Sequence, residues 1–417
     1  MKALCNYKQK IKKYGLKYAL TVLVPRKIKY YADPKLMKLS GLIFKHCKLT
    51  DTIVLESHND FDSNGGAFYD YLIKNGYNKK YKIVWLLWNK APKQLPDNVT
   101  CVQINKVSIK RYYYLYTAKY ILTCHLIVGS YQRGQISLYM THGPVGLKAF
   151  RGKTFIPSNL THILMPSEYM QPIMEKQYEM VGSDSKEICL YENHSIQRVI
   201  LGYPMHDLLY SDASGDLYKL TEAKYLKVIL WMPTFRKGKY ERNDSTETES
   251  LGIPIFDNFQ SIEKMNDYLA ERDALLIIKI HPMQDLETVK IRDMSNIKVL
   301  DGNSVKALGI DNYRLMKDTD ALISDYSSVA YDYLHLDRPI GFTMDDANSY
   351  KLGFIIEDPK ELIGGQIINS GDDFLKFIND VLEGRDLYRE KRHEVFDKVF
   401  KFHDGNSSKR LIDFLNL

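Results

Sequence analysis

Two trains of short β-rich segments, each alternating with helical patterns and parted by one polar stretch, predict an α/β protein of two doubly wound domains facing a cleft. Three observations support this reading. The chain has 417 residues, enough for two domains and more than a single core usually spans. With 45% hydrophobic and 12% aromatic residues it can bury two sizeable cores, which argues against disorder. The polar stretch 211–222 breaks the alternation near mid-chain. It divides the sequence into residues 51–210, a linker at 211–223, and residues 224–417, with residues 1–50 standing apart.

Charge sets residues 1–50 apart. They hold thirteen Lys or Arg against one acid, Asp33, a net of +12, whereas the remaining 45 bases and 50 acids give −5. The overall +7 is therefore wholly N-terminal. Residues 7–24 read as a helix with Lys10, Lys13 and Lys17 on one side and Ile11, Tyr14, Tyr18 and Val22 on another. Such a basic amphipathic helix suits an anionic membrane surface, and nucleic acid is not the expected partner. Pro25 is expected to end it, with a second apolar helix over 36–44. The longest early apolar run, 18–24, falls far short of the about 20 residues that span a bilayer. It also lacks a small-residue cleavage site, so the expectation is peripheral attachment to the cytoplasmic face of the cell membrane. Cys5, Cys47, Cys101, Cys124 and Cys189 are odd in number, scattered and without a CxxC pair. They read as thiols of a reducing compartment, not as disulfides or zinc ligands.

In the first half, strands are predicted over 52–56, 82–88, 100–104, 120–124, 136–141, 162–165 and 198–202. In the second they are predicted over 227–232, 274–280, 321–324 and 339–343, followed by a helix over 387–400 and another near the C-terminus. Alternation with helices implies parallel sheets with crossover connections, whose ligands bind beyond the carboxyl ends of the strands. The polar insertion 237–250 reads as a loop near that cleft.

Polar side chains gather at those strand ends. Strand 136–141 runs into Thr-His-Gly-Pro-Val-Gly-Leu-Lys (141–148), with Arg151 just beyond. Gly143 and Gly146 let backbone approach a ligand, His142 has a side chain suited to proton transfer, and Lys148 and Arg151 supply positive charge. Strand 227–232 ends in Pro-Thr-Phe-Arg (233–236), which brings in Thr234 and Arg236. Strand 274–280 ends in His281-Pro282, and Lys279 shares a strand face with His281 because side chains alternate. Two cations on one face sit awkwardly in a core and well beside phosphate. The third signature, Ile-Ser-Asp-Tyr-Ser-Ser-Val (323–329), places Ser327 and Ser328 at the start of a helical run over 330–336, where amides and hydroxyls favour an anion. The segment 59–66, which contains Asn64, reads as a loop facing the cleft; Asp60, Asp62 and Asn64 begin like a calcium loop whose remainder is missing. Tyr112, Tyr113 and Tyr114 read as packing.

In combination these elements resemble the family of CDP-glycerol glycerophosphotransferases, enzymes of teichoic acid and related capsule assembly. The resemblance covers residues 50–415. It is carried by His142-Gly143, Gly202-Tyr203-Pro204 with Asp207, Pro233-Thr234 with Arg236, Lys279 with His281-Pro282, Asp325-Tyr326-Ser327-Ser328, Asp332 and His403-Asp404-Gly405. It implies a GT-B-like pair of Rossmann-like domains, an acceptor domain first and a donor domain second. It further implies transfer of an alcohol phosphate from CDP-glycerol or CDP-ribitol to the hydroxyl of a lipid-linked or polysaccharide acceptor, with release of CMP.

Carried over residue by residue, His142 matches the family's proposed general base, with His281 beside it in the catalytic pair. His281, Arg236, Ser327 and Ser328 match donor pyrophosphate contacts, and Thr234, Lys279, Asp325 and Asp332 complete the expected donor site. Asn64, Lys148 and Arg151 are candidates for acceptor or phosphate contacts. Two positions depart from the pattern: Met205 stands where Gly-Tyr-Pro commonly continues with Arg, and Lys237 follows Arg236 where an acid is usual. The long extra N-terminal region of polymerising members is missing, which leads us to expect one or a few transfers. No carboxylate pair reads as a metal site, and no cofactor is called for beyond a bridging Mg²⁺ that the sequence leaves open. The competing expectation is a sugar-nucleotide glycosyltransferase of surface polysaccharide assembly, since the same cleft serves both chemistries.

Overall fold

The computed structural model describes residues 15, 17, 24–180, 195–238, 244 and 250–417. Most of the expected amphipathic helix over 7–24, most of the loop 237–250, and Cys5 and Cys189 lie outside the described residues. The expected helix end at Pro25 turns on residues 18–23, which lie outside the described residues. The first described helix, Val24–Phe44, runs on through Pro34 and so extends well before residue 36. Its Asp33 carboxylate accepts from the Arg111 guanidinium and the Tyr112 hydroxyl, which docks it on the helix Ile109–Thr117.

The first sheet contains β1 (Thr50–Glu56), β2 (Lys82–Leu87), β3 (Val99–Gln103), β4 (Ala118–Thr123), β5 (Ile136–Tyr139), β6 (His162–Leu164) and β7 (Gln197–Val199). Its order is β3-β2-β1-β4-β5-β6-β7, parallel throughout. The second sheet contains β8 (Lys227–Trp231), β9 (Ala274–Lys279), β10 (Ile297–Leu300), β11 (Ala321–Ser324), β12 (Ile340–Thr343) and β13 (Gln366–Ile368), in the order β10-β9-β8-β11-β12-β13. It too is parallel throughout. Parallel strands covered by helices on both faces need continuous apolar runs, and Ile53-Val54-Leu55, residues 83–87 and residues 274–278 are all buried.

In both sheets the order reverses beside the first strand, between β1 and β4 and between β8 and β11. Crossovers diverge there and leave a crevice at the strands' carboxyl ends. The two-domain α/β expectation is met. The edge strands β10 and β13 were not anticipated, because four and three residues interrupted by Lys298 and Gln366 carry too little apolar pattern.

The chain's last helix, Ser407–Leu415, returns to the first sheet, where the Tyr120 hydroxyl donates to the Leu415 carbonyl at 3.0 Å. The Asp207 carboxylate accepts the Ser407 and Ser408 amides at 2.9 and 2.7 Å, stabilising that helix's N-terminus. Gly202 has φ +75°, and a Cβ there would lie 2.4 Å from Ser407 Oγ. Asp404 holds Arg410 through two hydrogen bonds of 2.8 and 2.7 Å. The Gly-Tyr-Pro and His-Asp-Gly segments thus clamp the C-terminal helix.

Candidate active site

On the first domain the site grows from the ends of β1, β4 and β5. After β5 the chain turns sharply, with Thr141 at φ +54°, an uncommon conformation for a branched residue. Buried Asn64, in the helix Ser63–Lys74, holds that turn: its amide donates to the Met140 and Thr141 carbonyls at 3.1 and 2.9 Å, and its oxygen accepts from Met205 N at 3.2 Å. The turn delivers His142 to the cleft with its ring exposed on one side and crowded on the others. The His125 and His58 rings stand 5.7 and 6.1 Å away. Burial first, and the neighbouring imidazoles second, lower the His142 pKa, so the ring is neutral at pH 7 and able to take a proton. The Cys124 backbone, by contrast, favours a proton on the ring.

On the second domain the ends of β8, β9 and β11 converge. Buried Asp325 accepts from Thr234 N at 2.9 Å, Thr234 Oγ1 at 2.5 Å and Arg236 at 2.8 Å. Arg236 is 3% exposed and grips Asp346 with two further bonds, of 2.6 and 2.9 Å, while the Tyr326 hydroxyl donates to Asp346 at 2.7 Å. Thr234, Arg236 and Asp325 therefore tie the β8 and β11 loops together behind the cleft. Lys279, at the end of β9, is 6% exposed, and burial lowers its pKa to about 8. His281 Nδ1 accepts from Met283 N at 3.1 Å, and its ring lies 4.9 Å from Phe235. Lys148, from the first domain, places Nζ 5.7 Å from the same Phe235 ring.

The two halves meet closely. A Cβ on Gly143 would lie 2.8 Å from Ser328 Oγ, and one on Gly146 would lie 3.2 Å from both Ser328 N and the Tyr326 carbonyl. Hydrogen bonds from Ala149 N to the Gly353 carbonyl and from Ile355 N to the Leu147 carbonyl, at 3.0 and 2.9 Å, close the same junction. Ser327 and Ser328 are half-buried before a helix of only four residues, Val329–Asp332, and the Ser328 side chain makes no capping bond. Behind Asp62 the cleft continues into a cavity of about 190 Å³, lined in part by Asp70, Asp311, Tyr313 and Arg314.

Three expected site residues stand apart from this junction. Asp332 is buried and joins the domains by accepting from His206 at 2.8 Å and Tyr313 at 3.2 Å. Arg151 is exposed and pairs with Glu179 at 3.3 Å. Asn64 supports the His142 turn from beneath. Sequence reading passed over His58, His125, Glu56 and Asp346, although His58 and His125 follow β1 and β4 as His281 follows β9, and the same strand-end rule would have found them. Among the described residues no group of three or more His, Cys, Asp or Glu side chains is arranged to hold a metal ion.

Comparison with known proteins gives the family and the fold. A teichoic acid poly(glycerol phosphate) polymerase of Bacillus spizizenii is 24% identical over 91% of this chain and 94% of its own length. The teichoic acid ribitol-phosphate polymerase TarL of Staphylococcus aureus is 29% identical over 51% of this chain and 35% of its own. The first of these, named a polymerase, is matched almost end to end, whereas the chain spans about a third of the second. The structure of the wall teichoic acid polymerase TagF shares the fold, with a TM-score of 0.68 at 19% identity over 97% of this chain and 98% of that one. The model of the CDP-glycerol:poly(glycerophosphate) glycerophosphotransferase family matches residues 40–417, and the chain belongs to that family.

Proposed function

We propose that this protein transfers glycerol phosphate, or ribitol phosphate, from a CDP-alcohol to a hydroxyl of a lipid-linked or polysaccharide acceptor in teichoic acid or capsule assembly. The observation that carries the reading is the junction of His142 and Gly143 with Ser328, which sets a neutral imidazole of one domain beside the strand-end loops of the other. The acceptor oxygen attacks the phosphorus that bears the alcohol, and the bond from that phosphorus to the bridging oxygen breaks. CMP leaves with the bonding pair, and His142 takes the acceptor proton. His281, Ser327, Ser328 and Lys279 hold the pyrophosphate and balance charge on the departing CMP, with Lys148 reaching in from the acceptor side. Arg236, Thr234, Asp325 and Asp332 act one step back, by fixing the loops and the domain junction.

The membrane is the second expected partner. The helix Val24–Phe44 exposes Tyr30, Leu39, Leu42 and Ile43 together with Lys27, Lys35 and Lys38, apolar and basic groups suited to an anionic interface. No helix among the described residues is long and apolar enough to cross a membrane. The acceptor would be met at the cytoplasmic face. Parallel incubation with CDP-glycerol and CDP-ribitol, each with a lipid-linked acceptor, tests the donor assignment by CMP release. Release from either supports the reading, and release only of UDP or GDP from sugar nucleotides would replace it with glycosyl transfer.

A further inference from the structure

Resting on the assignment of His142 as base, we propose that Glu56 is a positioning residue for the reaction: its buried carboxylate fixes loop 124–126, whose His125 ring, together with His58, walls in the His142 ring. Glu56 ends β1 and is fully buried, an expensive place for a carboxylate unless its lone pairs are filled. They are filled by one loop. Cys124 N, His125 N and Leu126 N donate to a single Glu56 oxygen at 3.2, 2.9 and 3.0 Å, and Trp88 Nε1 donates to the other at 3.2 Å. Three consecutive amides aimed at one oxygen set the path of the chain after β4.

That path decides what stands against His142. His125 packs edge-on to His58 at 4.3 Å and stands against His142, so three imidazoles from the ends of β1, β4 and β5 share one wall. The ionisable groups facing His142 are His58, Asp62 and Glu56 from the β1 side and His125 from the β4 side. The histidines disfavour a proton on His142 and Asp62 favours one, and burial adds to the histidines' effect.

The test uses the intact protein carrying histidine labelled with ¹³C at Cε1, with the His142 resonance assigned by its loss in His142→Asn. Glu56→Gln keeps the volume but turns an amide group toward backbone donors, and His125→Asn and His58→Phe remove the flanking rings. For Glu56→Gln the expected result is a kcat lower by about tenfold or more with the CDP-glycerol KM within about twofold, together with a changed His142 titration. For His125→Asn and His58→Phe the acid limb of the kcat profile and the His142 titration both move to higher pH. A folded Glu56→Gln protein with unchanged kcat, or a His142 resonance that titrates identically in all three variants, overturns the proposal. If Glu56→Gln does not fold, the two histidine variants decide it. The titration needs no turnover. An active His142→Ala protein would therefore defeat the base assignment alone, leaving the arrangement of the ring to be judged by the titration.

Discussion

At the residue scale, the side chains divide into those that face the cleft and those that hold them. Lys279 pays for its place: folding lowers its pKa from 10.5 to about 8, so the folded protein disfavours the charged form. Its contribution to stability is complete above pH 10.5 and is lost as pH falls through 8, a penalty of up to about 3 kcal/mol at pH 7. Lys279→Met is expected to raise the melting temperature at pH 7, by a gain that shrinks above pH 8, and to weaken CDP-glycerol binding. Calorimetry at pH 7 and pH 10 with a parallel binding titration checks both. Since His142 has a lowered pKa, the acid limb of kcat should lie below the ordinary imidazole value of about 6.5, measurable as a pH–rate profile. Which polar groups stand at the strand ends was legible wherever one closed an apolar run, as for His142, Lys279 and His281. What each one touches was not. Arg236 read as a phosphate ligand, and only folding shows it held by two carboxylates, one of them on the distant Asp346.

At the scale of elements, the loops after the strands are set by close backbone contact. A Cβ on Gly146 would lie 3.2 Å from the Ser328 and Tyr326 backbone, so Gly146→Ala must push the two domains' loops apart by a few tenths of an ångström. It is expected to lower kcat by about tenfold or more while far-UV circular dichroism stays unchanged. Asp207 sits at the N-terminus of the helix Ser407–Leu415, and Asp207→Ala should cost about 1–2 kcal/mol, read as a lower melting temperature with the CDP-glycerol KM retained. All the long apolar strands were visible in the sequence, because a parallel sheet buried on both faces writes a continuous hydrophobic run. The short edge strands β10 and β13 were not, and neither was the run of the helix Val24–Phe44 through Pro34.

At the scale of the whole molecule, two parallel sheets present their switch points to one cleft, the proposed base on one side and the proposed anion cradle on the other. His206–Asp332, the Gly143–Ser328 contact and the returning C-terminal helix hold that alignment. The proposed membrane attachment rests on the exposed basic and apolar side chains of the helix Val24–Phe44. Flotation with vesicles containing anionic lipid should carry the protein upward at low salt, and replacing Lys27, Lys35 and Lys38 by Glu should release it; equal flotation with zwitterionic vesicles would count against the electrostatic attachment. The division of labour across the cleft is tested most directly by CMP release from CDP-glycerol in a single turnover, comparing the wild-type protein with His142→Ala in the presence of acceptor. The structure predicts a fall of at least about 100-fold with donor binding retained; turnover within about twofold of wild type, a difference under 1 kcal/mol in the barrier, would contradict it.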